Sequence, residues 1–366
     1  MARMMLAPDF LHWLDYAPYS LNSTAKQKVM LEAMRQLIQW HTEQCPGYQQ
    51  VIQALQVEPS RLEGLEDVPY LPVRLFKEFD LLSIPRDDVF KTMTSSGTSG
   101  QQVSKIFLDK ATASLQTKVL SRLMTDLLGK KRIPMLVIDS PSVLKDRLAF
   151  SARGAGILGF SMFGLDVTYA LDNDMQLDIR AVKSFIERHP EGPIFVFGFT
   201  FMIWQYLVQP LLKSNSRLAL DRAILLHGGG WKKLQDQMVD NNQFKEMLRD
   251  VAGLTQVINY YGMVEQTGSL YMECREGHLH APVFSDVIVR RAGDFKPAAH
   301  GEEGVIEVLS ILPRSYPGHA LLTEDRGVIL GEDDCPCGRL GKYFHVHGRL
   351  TQAEVRGCSD THEASF

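Results

Sequence analysis

No stretch of this 366-residue chain is long and apolar enough to read as a membrane span. The most apolar segment, PIFVFGFTFMIWQYLV at 193–208, is broken by Gly198 and falls short of the roughly 20 residues a spanning helix needs. It reads instead as a buried strand running into a helix. Cysteine is scarce and odd in number, five in all, which argues against a disulfide framework. A basic surplus is missing too: 39 Lys and Arg stand against 43 Asp and Glu, for a net charge of −4. With no Lys/Arg run either, the chain lacks the electrostatic footprint of a nucleic-acid or membrane-surface binder. The opening MARMMLAPDFLHWLDY has no apolar run and no small-residue cleavage site, so it does not read as a secretory leader. Neither an internal repeat nor a low-complexity linker is present. These absences predict a reduced, cytoplasmic globular protein. Its 45% hydrophobic residues are enough for one large core or two ordinary domains.

What is present is alternation. Over 22–56, Met30, Met34, Leu37 and Ile38 share one helical stripe, with Ser23 as the expected N-cap and Pro46-Gly47 as the stop. Residues 68–90 mix short strands with prolines. Residues 110–128 read as helix and PMLVIDS, 134–140, as a buried strand. A helix at 178–189, strand IFVFGF, helix 200–212, strand RAILLHGGG, helix 231–250 and strand TQVINYYG, 255–262, follow. This alternation predicts an α/β fold with a doubly wound parallel sheet. From about 280 onward the pattern changes to short strands and turns such as DVIVRR, GVIEVLS and YFHVHGR, predicting a β-rich subdomain.

In an open parallel sheet, ligands collect at the carboxyl ends of the strands. Three glycine-bearing segments follow strand-like runs here: 97–100, 228–230 and 262. The first lies in TSSGTSGQQVSK, 94–105, where closely spaced glycines let backbone N–H groups turn inward on a phosphate. Gly97 and Gly100 are too close for the Walker pattern, and G-x-G-x-x-G is absent. Taken singly, each motif has a plain explanation. TSSGTSG is a surface loop, YYGMVEQTG a helix start with its acidic first turn, LLTEDRG a hairpin and HGRL an exposed arginine. Their order carries more weight than any one of them.

That order resembles the adenylate-forming enzymes, the superfamily of acyl-CoA synthetases and adenylation domains. The series here is Ser96, Gly97, Thr98, Ser99 and Gly100, then Gly228, Gly229 and Gly230, then Tyr261, Gly262 and Glu265. Glu324 with Asp325 and Gly348 with Arg349 complete it, so the resemblance covers roughly 90–358. SSGTSG and CPCGR resemble the phenylacetate–CoA ligase branch. AEVRGCSD, together with YYGMVEQ and SYPGHALLTED, resembles the LuxE family, the acyl-protein synthetases of the bacterial fatty-acid reductase complex. The resemblance implies ATP and Mg²⁺ as cofactors and a fatty acid as substrate. It implies an acyl-protein reductase subunit, and with it a thioesterase subunit, as partners. By the same resemblance, Ser96, Thr98, Ser99 and the loop N–H groups cradle phosphates. Gly228–Gly230 and Tyr261 pack on adenine, Asp325 takes the ribose hydroxyls, Arg349 reaches ribose or phosphate, and Glu265 holds Mg²⁺.

The departures shape the expected chemistry. Gln101-Gln102-Val103-Ser104 precedes Lys105 where the superfamily often has Pro-Lys, and Thr351-Gln352 replaces its acidic hinge. A typical member continues past this region into a lid domain with a catalytic lysine, whereas this sequence ends at Phe366. The expectation is therefore a core without that lid, divided as an N-terminal helical segment over 1–90, an adenylate-forming core over 91–348 and a tail over 349–366. The tail carries Cys358, with Arg356 nearby to favour its thiolate. The LuxE family is understood to carry its acyl thioester on a cysteine near the C-terminus, and Cys358 matches that position.

Two matters stay open at this level. CREGHLH and CPCGR supply Cys274, His280, Cys335 and Cys337, either a structural zinc site or reduced cysteines in turns with His278 and His345 as bystanders. Segments 154–164 and 195–201 serve either as the lining of an acyl tunnel or as ordinary core. Two rival functions also stand: an acyl- or aryl-CoA ligase borrowing a lid from another chain, and a non-catalytic subunit of a reductase complex. The presence of Tyr261, Glu265, Asp325 and Arg349 argues against the second, since a scaffold has no use for all four.

Overall fold

The structure, a computed structural model, describes residues 7–95, 102–144 and 152–350. In chain order, α1 (Ser23–Gln44) and α2 (Pro46–Leu55) lead to β1 (Leu71–Pro72), α3 (Leu75–Glu78), β2 (Lys91–Thr94) and β3 (Lys105–Leu108). Next come α4 (Lys110–Leu128), β4 (Ile133–Val137), α5 (Ala152–Ser161), β5 (Gly164–Tyr169), α6 (Ile179–Arg188) and β6 (Ile194–Phe199). The segments α7 (Thr200–Ile203) and α8 (Gln209–Lys213), β7 (Ala223–Gly228), α9 (Asn241–Ala252) and β8 (Gln256–Tyr261) follow. Strands β9 (Tyr271–Glu273), β10 (Leu279–His280), β11 (Ser285–Arg290), β12 (Gly304–Ser310), β13 (Ala320–Glu332) and β14 (Lys342–Arg349) complete the described chain. Among the described residues, no helix is long and apolar enough to cross a membrane.

The chain forms two compact units. Among the described residues, the first takes 7–95, 102–126 and 262–350, and the second takes 127–144 and 152–261.

The second unit is the doubly wound half. Its strand order is β8-β7-β6-β4-β5, and every pairing within it is parallel. All six residues of β6, IFVFGF, are buried, as expected of a parallel strand covered on both faces. Asp178 caps α6 by accepting from Ala181 N at 2.9 Å, which directs Val182 and Phe185 into the core. The helix predicted over 200–212 is broken by a π turn at Trp204–Val208. Pro210 has no N–H to donate, so the ladder widens just before it. The helix predicted over 231–250 starts in earnest only at Asn241. Asp240 accepts from Gln243 N at 2.9 Å there, closing a capping box that ends the preceding 3₁₀ turn.

The first unit is antiparallel, in the order β11-β12-β13-β14-β10-β9, with β1 added in parallel beside β13. This matches the β-rich pattern expected beyond 280. Helix α1 buries Met30, Met34, Leu37 and Ile38, the stripe read from the sequence. Its cap is Asn22, which accepts from Ala25 N at 2.9 Å, and not Ser23. Pro46 does end α1, but it also opens α2, because the first position of a helix does not need its N–H. Lys26 of α1 is fully buried, where its Nζ donates to Ala281 O at 3.1 Å and lies 3.6 Å from Asp286 Oδ1.

Candidate active site

Glu265 lies in the first unit, on a single 3₁₀ turn, Val264–Gln266, and only 7% of its surface is exposed. The turn is pinned from below. Tyr316 donates its hydroxyl to Glu265 O at 2.9 Å, and Gln266 Nε2 donates to Val308 O and Gly318 O at 3.0 and 2.8 Å. Burial pushes the Glu265 carboxyl above its ordinary pKa, while the Ser104 hydroxyl and the Arg349 cation pull it back and Glu324 adds to the rise. The Ser104 oxygen lies beside the carboxyl without a partner at full hydrogen-bond geometry. A carboxylate with a hydroxyl beside it offers the oxygen ligands that a hard divalent ion takes, and the carboxylate charge has to outweigh the Arg349 cation.

Asp325 and Arg349 face each other across β13 and β14, with Arg349 Nε 3.7 Å from Asp325 Oδ1. Thr323 holds the local bend: its hydroxyl donates to Ile306 O at 2.7 Å and accepts from Asp325 N at 3.1 Å. The structure thus brings together two residues that lie 24 positions apart in sequence and that resemblance assigns to one nucleotide.

The glycine turn lies in the second unit, at the carboxyl end of β7. A Cβ on Gly228 would come within 2.6 Å of the Tyr260 ring, and Gly229 has a φ of +79° with Phe199 3.3 Å from where its Cβ would stand. Only glycine fits both positions, one for space and one for backbone conformation. Tyr260 packs against this turn at Gly228 and Phe199 at Gly229, and Tyr261 ends β8. The segments proposed for an acyl tunnel meet here as well, since Phe160 and Phe197 have ring centroids 4.5 Å apart and Phe197 and Phe199 5.7 Å apart.

The four Cys/His residues converge in the first unit. Ligand atoms of Cys274, His280, Cys335 and Cys337 all lie within 4.8 Å of one another. Cys274 follows β9 and His280 ends β10, while Cys335 and Cys337 sit in the connection from β13 to β14. Two turns supply the pairs: Gly277 N donates to Cys274 O, Gly338 N donates to Cys335 O, and Arg339 N points at Cys337 Sγ at 3.4 Å. His278 lies alongside, its Nδ1 3.4 Å from Cys335 Sγ.

Ser96 to Gly100 and Cys358 lie outside the described residues. Sequence reasoning passed over Ser95 and Ser104, which pair with each other. Ser104 N donates to Ser95 Oγ at 2.9 Å and Ser95 N to Ser104 O at 3.1 Å. It also passed over Thr200 and His227, although a histidine directly before three glycines at the end of a buried strand was a visible signal.

The fold is that of the adenylate-forming ligases. A crystal structure of 2-hydroxyisobutyryl-CoA ligase, in an open conformation with 2-HIB-AMP and CoA, matches it with a TM-score of 0.69. That match has 15% sequence identity and covers 91% of this chain and 77% of the other. Within that class, the chain belongs to the LuxE acyl-protein synthetase family, whose model matches residues 9–366. The long-chain-fatty-acid–luciferin-component ligase of Vibrio harveyi is 24% identical over 350 residues, spanning 90% of this chain and 85% of that protein. The phenylacetate-coenzyme A ligase of Thermus thermophilus is 22% identical over 330 residues, spanning 84% and 66%. The family and fold read from motif order are thus borne out.

Proposed function

We propose that this protein activates a long-chain fatty acid with ATP and passes the acyl group to its own Cys358 as a thioester, for delivery to an acyl reductase. The observation that carries the reading is the buried Glu265 carboxylate, in a family of acyl-protein synthetases, with Arg349 the cation acting on it. A fatty carboxylate is a poor electrophile because oxide would have to leave. In the first step its oxygen attacks the α-phosphorus of ATP, an O–P bond forms, and the bond to the bridging oxygen breaks to release pyrophosphate. Glu265 would hold Mg²⁺, which supplies charge neutralisation on the phosphates. Asp325 would accept the ribose hydroxyls, held in place by Arg349 and the Thr323 bend. Gly228–Gly230 would offer bare backbone to the adenine. In the second step the Cys358 thiolate attacks the acyl carbon, the C–S bond forms, and AMP leaves with the bonding pair.

Asp325→Ala should weaken ATP binding by about 10- to 100-fold, the usual effect of losing a charge-assisted hydrogen bond. Calorimetric titration with ATP measures this, and an unchanged dissociation constant would remove the ribose role.

We further propose that Cys274, His280, Cys335 and Cys337 hold one structural zinc. At the tetrahedral angle, two thiolates about 2.3 Å from zinc stand about 3.8 Å apart, and a thiolate and an imidazole nitrogen at about 2.1 Å stand about 3.6 Å apart. The Cys274 and Cys335 sulfurs are 3.9 Å apart, and Cys337 Sγ is 3.4 Å from His280 Nε2. Elemental analysis should find close to one zinc per chain, and a content near zero would sink the assignment.

The experiment for the whole reading is incubation with ATP, Mg²⁺ and a fatty acid, followed by intact-mass measurement. One added acyl mass per chain is expected. Turnover that requires coenzyme A, with no acylated protein, would instead establish a CoA ligase.

A further inference from the structure

Thr200 and His227 are buried polar side chains beside the glycine turn, and nothing in the proposed chemistry uses them. Register places them side by side: Gly198 pairs with His227 and Phe199 with Gly228, so Thr200 begins its helix level with the turn. Thr200 is 6% exposed and His227 3%. Thr200 Oγ1 lies 2.9 Å from His227 Nδ1 and 3.2 Å from Gly228 O. A carbonyl can only accept, so the Thr200 proton goes to Gly228 O. The hydroxyl oxygen must then accept from His227, which places the ring proton on Nδ1. Burial holds the imidazole neutral, pushed down to about 3, so this arrangement does not change over the working pH range. The His227 ring is held in turn against Phe244, at a centroid distance of 4.9 Å.

Most residues at the end of a parallel strand lose their ladder partner as the strand gives way to a turn. Here a side-chain relay takes over. It runs from the His227 ring through the Thr200 hydroxyl to the Gly228 carbonyl, and it ties the end of β7 to the start of α7. Phe199 limits Gly229 from the same side. A glycine turn is conformationally loose by nature, and a loose turn binds poorly because ordering it costs entropy on each encounter.

We propose that Thr200 and His227 are positioning residues that set the shape of the Gly228–Gly230 turn for the nucleotide. Neither touches the reacting atoms. The inference rests on the reading that this turn receives the adenosine part of ATP, and it goes beyond that reading by naming what holds the turn ready.

Thr200→Val keeps the shape and removes the hydroxyl. It should weaken ATP binding about tenfold in calorimetry, an effect on the scale of one buried hydrogen bond. The Michaelis constant for fatty acid in pyrophosphate exchange should stay within twofold of the natural protein. Thr200→Ser restores the hydroxyl and should restore ATP affinity. His227→Phe keeps the ring contact with Phe244 but removes the donor, and should reproduce the loss. A merely structural role would lower the thermal midpoint and affect both substrates together. ATP affinity unchanged in Thr200→Val, or not recovered in Thr200→Ser, overturns the inference. If the natural protein binds ATP but shows no fatty-acid-dependent exchange, the proposed function fails while the positioning role is still read from ATP affinity. If the natural protein binds no ATP, both fall.

Discussion

Glu265→Gln should lower fatty-acid-dependent ATP–pyrophosphate exchange by on the order of 10²–10³, the usual cost of removing one preorganised electrostatic contact. Gln keeps the size and the hydrogen-bonding oxygen but cannot carry the charge. The fold should not suffer. Burial makes the charged form of Glu265 unfavourable, so the folded protein holds a proton here more tightly than the unfolded chain does. Stability from this group is therefore fully present below the unfolded pKa and is lost as pH rises through the raised one. A neutral Gln mimics the protonated state, and the thermal midpoint at neutral pH should hold or rise. Activity has the opposite sign, because the metal role needs the carboxylate. In the natural protein, proton and metal compete for the carboxylate, so exchange should fall on acidification, and that limb should vanish in the variant. Exchange unchanged in Glu265→Gln would remove Glu265 from the chemistry.

Cys358→Ser should abolish acyl-protein formation while leaving pyrophosphate exchange intact. The two half-reactions use different groups, and a serine hydroxyl is far less ionised at neutral pH than a thiol with a pKa of about 8.5. Intact mass after incubation with ATP and fatty acid should show one acyl group on the natural protein, removable by neutral hydroxylamine, and none on the variant. Cys45 provides the control. It is buried between α1 and α2 at 2% exposure, where its thiol is pushed up by burial, and its replacement should leave the acyl mass unchanged. A hydroxylamine-labile acyl group persisting on Cys358→Ser would mean that the acceptor is another residue.

The elements that were legible in the sequence were those with one dominant signal. IFVFGF has no polar residue and could only be an interior strand. Helix α4 matched its expected span, Lys110–Leu128, because Asp109 caps it at Thr112 N and its apolar stripe is unbroken. Where two signals competed, the reading missed. Pro46 both stops one helix and starts the next, and only the position of the following turn decides between them. Trp204–Val208 is helical by propensity, but Pro210 opens its ladder. At the candidate site, residue types with distinctive chemistry were found from spacing and motif order: the four Cys/His residues and the Asp325–Arg349 pair. The residues around them were not. Ser104 meets Glu265 from a segment remote in sequence and Thr200 meets His227 through a strand register, so of these only the histidine before three glycines left a mark in the sequence.

The connection that carries Cys335 and Cys337 is also gripped by the N-terminal segment. Ser23 N donates to Asp333 Oδ2 at 2.9 Å across 310 residues of sequence, Leu340 N donates to Tyr19 O at 3.2 Å, and Arg339 lies over the Tyr19 ring at 4.2 Å. During synthesis, the start of α1 emerges 310 residues before Asp333, its hydrogen-bond partner. At ribosomal rates of about 5–20 residues per second, a gap of 310 residues corresponds to about 15–60 s. Throughout that interval Ser23 N has no Asp333 carboxylate to donate to, and α1 can pack only on nearer segments such as α2. The grip of the N-terminal segment on the connection that carries Cys335 and Cys337 therefore forms only late, long after α1 itself has been made.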